Sequence, residues 1–414
     1  MRLQTSWLLT ALSLVAVVAV PAAAEIRPLG APFRVNRTDD FKQENPVAAF
    51  SGSGTALVVW QNDQNGIRGI FQRLDGTALS SQLSLVANET LGSRNEGLVT
   101  SRRDPAVAFL PNGQFLLAWT EEKAYVRASP FYEDRQVQDQ DVFVQRFDAS
   151  GAAAGARYRV NNAAAGLQTV PKIALLANGN AFVVWKTSTG GATPQGGIGG
   201  RLISATGQPV GADFRVSEEA TADHAAVAAG RNGILVAWDS TVNGQVDVFA
   251  RLYETSGRAS GPAFRVNASP AGTQRWPAVV AGSDGNFLVS WQSHVISRAD
   301  VHIFGQFLSP VGGFLGNSFL ISRNDGTQLA PALAATKTGF VASWLEGYTL
   351  GYGIQAVELT NLGARVGDEV TVVPLRARKN YRQSIAADGK GGILVPWETN
   401  NGRAQVIVAR GLHQ

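Results

Sequence analysis

Six carboxylic acids, Glu121, Glu122, Glu133, Asp134, Asp139 and Asp141, crowd one short stretch of the 414-residue chain. Two carboxyls on either side of a glycosidic bond are the machinery of sugar-chain hydrolysis. Sequence alone does not give their separation, and a solvated charged loop accounts for the same residues. Histidine chemistry is poorly represented: His224, His294, His302 and His413 are scattered, without an H-x-x-x-H pair, so a histidine zinc site is not expected. The absence of cysteine excludes disulfides, thiolate catalysis and Cys-ligated metals. Neither a G-x-S-x-G nucleophile elbow nor a phosphate-binding G-x-x-x-x-G-K-[ST] loop occurs. The segments NDQNG (62–66) and QDQD (138–141) carry oxygens suited to calcium, but not the full twelve-residue loop. No cofactor is therefore implied.

Those acids are interleaved with cations and aromatics. Arg102, Arg103, Glu121, Glu122, Lys123, Tyr125, Arg127, Phe131, Tyr132 and Arg135 form a mixed patch of the kind that recognises macromolecules, and Glu133 and Asp134 belong to the same segment. A packed lid is the plainer reading. Trp276, directly before Pro277, is a separate candidate for a ligand platform or for local packing.

The elements that position these residues follow from a period. Trp60, Trp119, Trp185, Trp238, Trp291, Trp344 and Trp397 are spaced by 59, 66, 53, 53, 53 and 53 residues. Each ends an apolar β-forming run such as ALVVW or FLLAW, with Gly54, Gly113, Gly179, Gly233, Gly285, Gly339 or Gly392 at the turn before it. Pro46, Pro105, Pro171, Pro277 and Pro331 open the strand before that turn. A third strand follows in segments such as GIFQRLD and DVFVQRFD, and a fourth in RYRVN and AFRVN. Units of four short strands recurring at this length predict an all-β, seven-bladed β-propeller. A solenoid is the main alternative, but it requires atypical capping repeats at both ends.

The predicted ring closes through its termini. The last unit stops after three strands, and GAPFRVN (30–36) supplies the missing fourth, which removes an open sheet edge. The expected order is 30–36 as closing strand, blades at 43–88, 102–161, 168–217, 222–267, 274–322 and 328–373, and three strands of the seventh at 381–411. Long intervals mark two additions, LVANETLGSRNEGLVTSRRDP and EEKAYVRASPFYEDRQVQDQD, expected to rise as loops from one face beside blade two. The periodic Trp residues are expected to pack between blades. Gln43, Gln168, Gln274 and Gln328 suggest a collar fastening neighbouring blades, and Arg73, Arg146, Arg201 and Arg251 are expected to satisfy carbonyls or carboxylates between blades.

The repeat P-x-V-A, G-x-F-V-V-x-W, V-F-x-Q-R-F-D-x-x-G, F-x-V-N resembles that of a family of secreted bacterial propeller proteins over residues 30–410. The resemblance implies the fold and carries over no catalytic residue. Departures occur at Gln306, Glu358 and DEVTVV. The repeated S-x-D-x-G-x-T-W turn of sialidase-like propellers is absent.

Arg2, the run WLLTALSLVAVVAV and the small residues before Glu25 read as a signal peptide over 1–24, which predicts a secreted or periplasmic protein with no membrane insertion after its removal. A formal charge of +4 is too weak to imply nucleic acid. The sequence thus leads first to a non-catalytic binding or scaffolding propeller whose partner is a protein or glycan at the cell exterior. The alternatives are a carbohydrate-active hydrolase or lyase with carboxylates at the channel mouth, and a passive component of a secreted assembly.

Overall fold

The computed structural model describes residues 25–38, 40–92, 96–129, 132–162, 166–188, 196–268, 272–294, 300–323, 326–348, 351–374, 380–400 and 404–414. The expected signal segment and Phe131 lie outside the described residues. Among the described residues there are strands and turns but no helix.

Each unit is a meander built around its Trp. In the first, Gln43–Phe50 pairs with Ala56–Asn62, which pairs with Gly66–Gln72, which pairs with Leu83–Val86, all antiparallel. The turn between the first two strands closes with the Gly54 amide on the Ser51 carbonyl at 2.9 Å. Gly54 has a φ of +87°, a left-handed conformation that is costly for any residue with a Cβ.

Among the described residues the strands form six sheets, five of four or five strands and one of eight. This is a β-propeller arrangement of small antiparallel sheets. Five units stand as separate sheets where the tryptophan period predicts seven. The other two, carrying Trp291 and Trp344, share the eight-stranded sheet, joined by one parallel pair between Val301 and Thr327. The first strands of successive units contact one another in turn, and that of the Trp397 unit touches Gln43–Phe50 of the first. Arg27–Arg34 pairs antiparallel with Gln405–His413, so the described chain's first strand extends the sheet of its last.

The core lies between units. Every periodic Trp is at most 2 % exposed and packs in a cluster with the preceding unit: Trp238 with Phe182 and Val184, Trp60 with Leu394 and Ile407. Burying an indole on its neighbour couples each meander to the next. Three of the recurring Gln side chains secure this packing within a unit. Gln43, Gln168 and Gln274 accept the indole N–H of Trp60, Trp185 and Trp291 at 2.7, 2.8 and 2.9 Å, which fastens the first strand to the second, while Gln328 accepts the Ser322 hydroxyl of the preceding unit at 3.3 Å.

Other links between units come from arginine side chains. Arg201 and Arg251 donate to the carbonyls of Val160 and Val216 in the preceding units, at 2.7 and 3.4 Å. Asn36, Asn161 and Asn267 instead accept backbone amides of their own sheet, as a structural role for the RVN motif requires.

Candidate active site at the axial mouth

The first strand of six units bulges where Pro was expected to open it. Asn45, Asp104, Val170, His224, Trp276 and Ala330 all have φ between +47° and +57° there, and the strand register shifts at each. A bulge frees one amide from the ladder and re-aims the side chain. The His224 amide goes to its own neighbour Asp223, and in the other five units the freed amide goes to the residue that follows the preceding unit's Trp. Asn45 donates to Glu398, Asp104 to Gln61, Val170 to Thr120, Trp276 to Asp239 and Ala330 to Gln292, at 2.9–3.0 Å. These bulges lie on the first strands, which contact one another from unit to unit, and we take the face they share as the candidate mouth of the ring.

One arc of the mouth is ionic. Asp104 accepts from the Asn45 amide side chain at 3.0 Å and the Thr120 hydroxyl at 3.3 Å, while Arg382 donates to Asn45. Burial pushes the Asp104 carboxyl above the usual carboxylate range, against the pull of Arg382, Lys172 and Arg103. Lys172 is reached by solvent, yet the surrounding protein holds its ammonium below the ordinary lysine value; Asp104 opposes that shift and Arg382 adds to it. The arc therefore contains a carboxyl that keeps its proton longer and an amine that loses its proton sooner.

Glu398 is also raised, first by burial and, less, by Glu44, with the Asn45 amide opposing. Its two oxygens accept from the Asn45 amide and from Gln405 at 2.9 and 3.1 Å. That carboxylate is spent on joining the last unit to the first.

A second arc is aromatic. Trp276 is 40 % exposed, and its ring stacks on His224 with centroids 4.0 Å apart. Asp239, only 4 % exposed, accepts the Trp276 amide at 2.9 Å and bonds Nδ1 of His224 at 2.8 Å. Beside it Lys186 donates to Asp223 at 2.6 Å. Burial pushes Asp223 up, but the Lys186 hydrogen bond and the neighbouring His224 leave it below its ordinary value.

The sequence candidates around blade two fall elsewhere. Both additions expected as loops are largely strand: Glu96–Phe109, Phe115–Ser129 and Tyr132–Phe147 form one long meander, with Glu89–Gly92 on its edge. Alternation along it buries Glu121 with Arg102 and leaves Lys123, Tyr125 and Arg127 exposed. Arg102 pairs with Glu121 at 3.2 Å and Glu89 at 2.8 Å, and Arg157 also donates to Glu121. Glu122, 4 % exposed, takes Arg135 at 2.6 Å and Arg103 at 3.5 Å. Burial raises the Glu122 carboxyl, but Arg103, Arg135 and Gln140 together leave it below its usual range.

The structure thus holds these residues in two ion-pair clusters, Arg102 with Glu121, and Arg103 and Arg135 with Glu122, in which Arg102, Glu121 and Glu122 are buried. Arg127 pairs with Glu96 at 3.1 Å on the exposed side, and the backbones of Ser129 and Tyr132 pair at the hairpin end. Of the acids, Asp139 is raised by burial and then by Asp141, which is held by Asn161 at 2.6 Å. Asp104, Lys172, Arg382 and Asp239 were not singled out by sequence reasoning. Position could have found two of them, Asp104 before its strand-opening Pro and Asp239 after its Trp.

No family model matches the chain, and no curated protein matches it in sequence. Solved structures share the fold. A protein of unknown function from Dyadobacter fermentans superposes with a TM-score of 0.54 at 12 % identity, over 95 % of this chain and 100 % of that one. An ulvan lyase from a new family of polysaccharide lyases gives 0.56 at 10 % identity, over 91 % and 95 %. The NanB sialidase of Streptococcus pneumoniae gives 0.50 at 9 % identity, over 94 % and 71 %.

Proposed function

We propose that this chain is a seven-bladed propeller acting on carbohydrate, as a hydrolase or lyase, with Asp104 at the axial mouth as the group that carries the proton. Seven blades are supported by the Trp period, by the cycle of contacts among first strands, and by the single parallel pair linking the Trp291 and Trp344 meanders. The observation that carries the function is the arc of Asp104, Lys172, Asn45 and Arg382. A carboxyl held above its ordinary range can protonate a departing glycosidic oxygen. Lys172, with its affinity for the proton reduced, is suited to take one from carbon, and Arg382 adds positive charge where an acidic sugar would bind.

A propeller by itself does not choose a function. A polysaccharide lyase and a sialidase share this fold, and the reading is of the same broad class. A signal segment at 1–24 would bring such an enzyme to glycans in the periplasm or outside the cell. A non-catalytic partner surface would draw on the exposed Lys123, Tyr125 and Arg127, because Arg102 is committed to Glu121 and Glu89, and Glu122 to Arg135 and Arg103.

The test is turnover of neutral and uronate-containing polysaccharides by the mature protein, followed by new reducing ends and by ultraviolet absorbance of unsaturated products. Asp104→Asn is expected to lower kcat by roughly 100-fold or more while unfolding stays cooperative. Full activity in that variant, or no turnover of any glycan by the wild type, overturns the reading.

A further inference from the structure

We propose that Trp276 and His224 form a sugar-stacking subsite, in which the open face of the indole takes one pyranose ring of a polysaccharide chain whose reacting linkage lies at the Asp104 arc. The inference rests on the carbohydrate reading above and names the form of the substrate.

Trp276 departs from every other described tryptophan. The seven periodic ones are at most 2 % exposed and serve the core, whereas Trp276 is 40 % exposed. It occupies the bulge at a φ of +57°, a conformation that a bulky side chain adopts only when its surroundings impose it.

The bulge φ recurs in six units, and what sets this one apart is Asp239. This buried carboxylate accepts the Trp276 amide at 2.9 Å and bonds His224 at 2.8 Å, so one group fixes both members of the 4.0 Å stack. One indole face is thereby covered by the imidazole, leaving the other for a ligand. A flat, fixed aromatic surface suits the C–H face of a pyranose. The Lys186–Asp223 pair beside His224, with the exposed Arg275 next to Trp276, supplies donors and acceptors for hydroxyls or an acidic substituent.

Position in the ring bears on the form of the occupant. Asp104 belongs to the Trp119 unit and Trp276 to the Trp291 unit, with the Trp185 and Trp238 units between them. A ligand touching both bridges these units, and we take it to be a chain of sugars.

The experiment uses the whole mature protein with soluble polygalacturonate, alginate and arabinoxylan as probes. Trp276→Ala is expected to raise KM about tenfold on the polymer that is turned over, with kcat nearly unchanged, and Trp276→Phe to recover most of the loss. Tryptophan emission should respond to that polymer in the wild type and not in Trp276→Phe. If Asp104→Asn abolishes turnover while Trp276→Ala leaves KM and the emission response intact, the subsite is overturned and the enzyme reading stands. If no glycan is turned over but one is retained in affinity electrophoresis by wild type and not by Trp276→Ala, the subsite stands and the enzyme reading falls. Neither turnover nor retention overturns both.

Discussion

In the long meander of the Trp119 unit, Glu121 sits between Arg102 and Arg157, and Glu122 between Arg135 and Arg103, each carboxylate matched by guanidinium groups. A few residues away, where the same strands reach the axis, Asp104 has only amide and hydroxyl donors in direct contact, and its nearest cations act from a distance. Both regions put acids into protein. The first neutralises them in place, which leaves Glu122 more acidic than usual; the second does not, which leaves Asp104 less acidic. Charge that is fully matched holds strands together, and charge left incompletely matched retains a proton equilibrium near which chemistry can be run. The dense cluster of acids visible in the sequence is thus held in ion pairs, and the aspartate without them is the one to which we assign the reaction.

Stability separates the two regions most strongly. Glu121→Ala leaves Arg102, itself 2 % exposed, with only the exposed Glu89 as a carboxylate partner, and is expected to cost about 3 kcal/mol, as removal of one member of a buried pair does. Asp104→Asn keeps the shape and most hydrogen-bonding capacity of the side chain while removing a charge that burial disfavours, so its cost should stay within about 1 kcal/mol. Urea unfolding of both variants at neutral pH checks the contrast. Equal losses would mean that Asp104 is as structural as Glu121.

How much of this could be read in advance depended on which residues recur by type. Tryptophan recurs because no other side chain fills the space between sheets equally well, so the architecture was legible from Trp60 to Trp397. The bulge recurs in conformation and not in composition: Asn45, Asp104, Val170, His224, Trp276 and Ala330 share a left-handed φ and nothing chemical. Asp104 and His224 therefore looked like stray residues. The polar positions after each Trp, such as Gln61, Asp239 and Glu398, were visible, but their partners are amides of the next unit, which only the closed arrangement brings near. The addition between Trp119 and Val142 lengthens the tryptophan interval, and a longer interval does not by itself tell a loop from longer strands. As a strand pair, its alternation of buried Glu122 and exposed Lys123 is ordinary.

Acid titration of stability sharpens the same comparison through its sign. For Asp104 the native carboxyl binds its proton more tightly than the unfolded one, so stability falls as pH rises from the ordinary carboxylate value through the raised native one. Glu398 acts in the same direction. For Glu122 the native carboxyl is the stronger acid, so its contribution is present above the ordinary value and is lost as pH falls through the lowered native one. Asp104→Asn should therefore flatten the decline on the higher-pH side of the carboxylate range, and Glu122→Gln the loss on its acid side. Urea midpoints measured across that range would refute the assignment if the two variants altered the same limb.

The smallest effect is expected at the exposed edge of the meander, and its smallness is informative. Arg127 and Glu96 pair at 3.1 Å, but both side chains are more than half exposed, so solvent and salt screen the attraction and two flexible chains must be ordered to make it. Arg127→Ala should leave the unfolding midpoint, glycan turnover and retention on immobilised polysaccharide unchanged. The same substitution probes the surviving partner surface of Lys123, Tyr125 and Arg127, since an Arg at the centre of a recognition patch is commonly one of the few residues that carry its affinity. Loss of glycan retention in Arg127→Ala, with Trp276→Ala behaving as wild type, would move the binding site from the axial mouth to the meander and reverse the contrast between matched and unmatched charge.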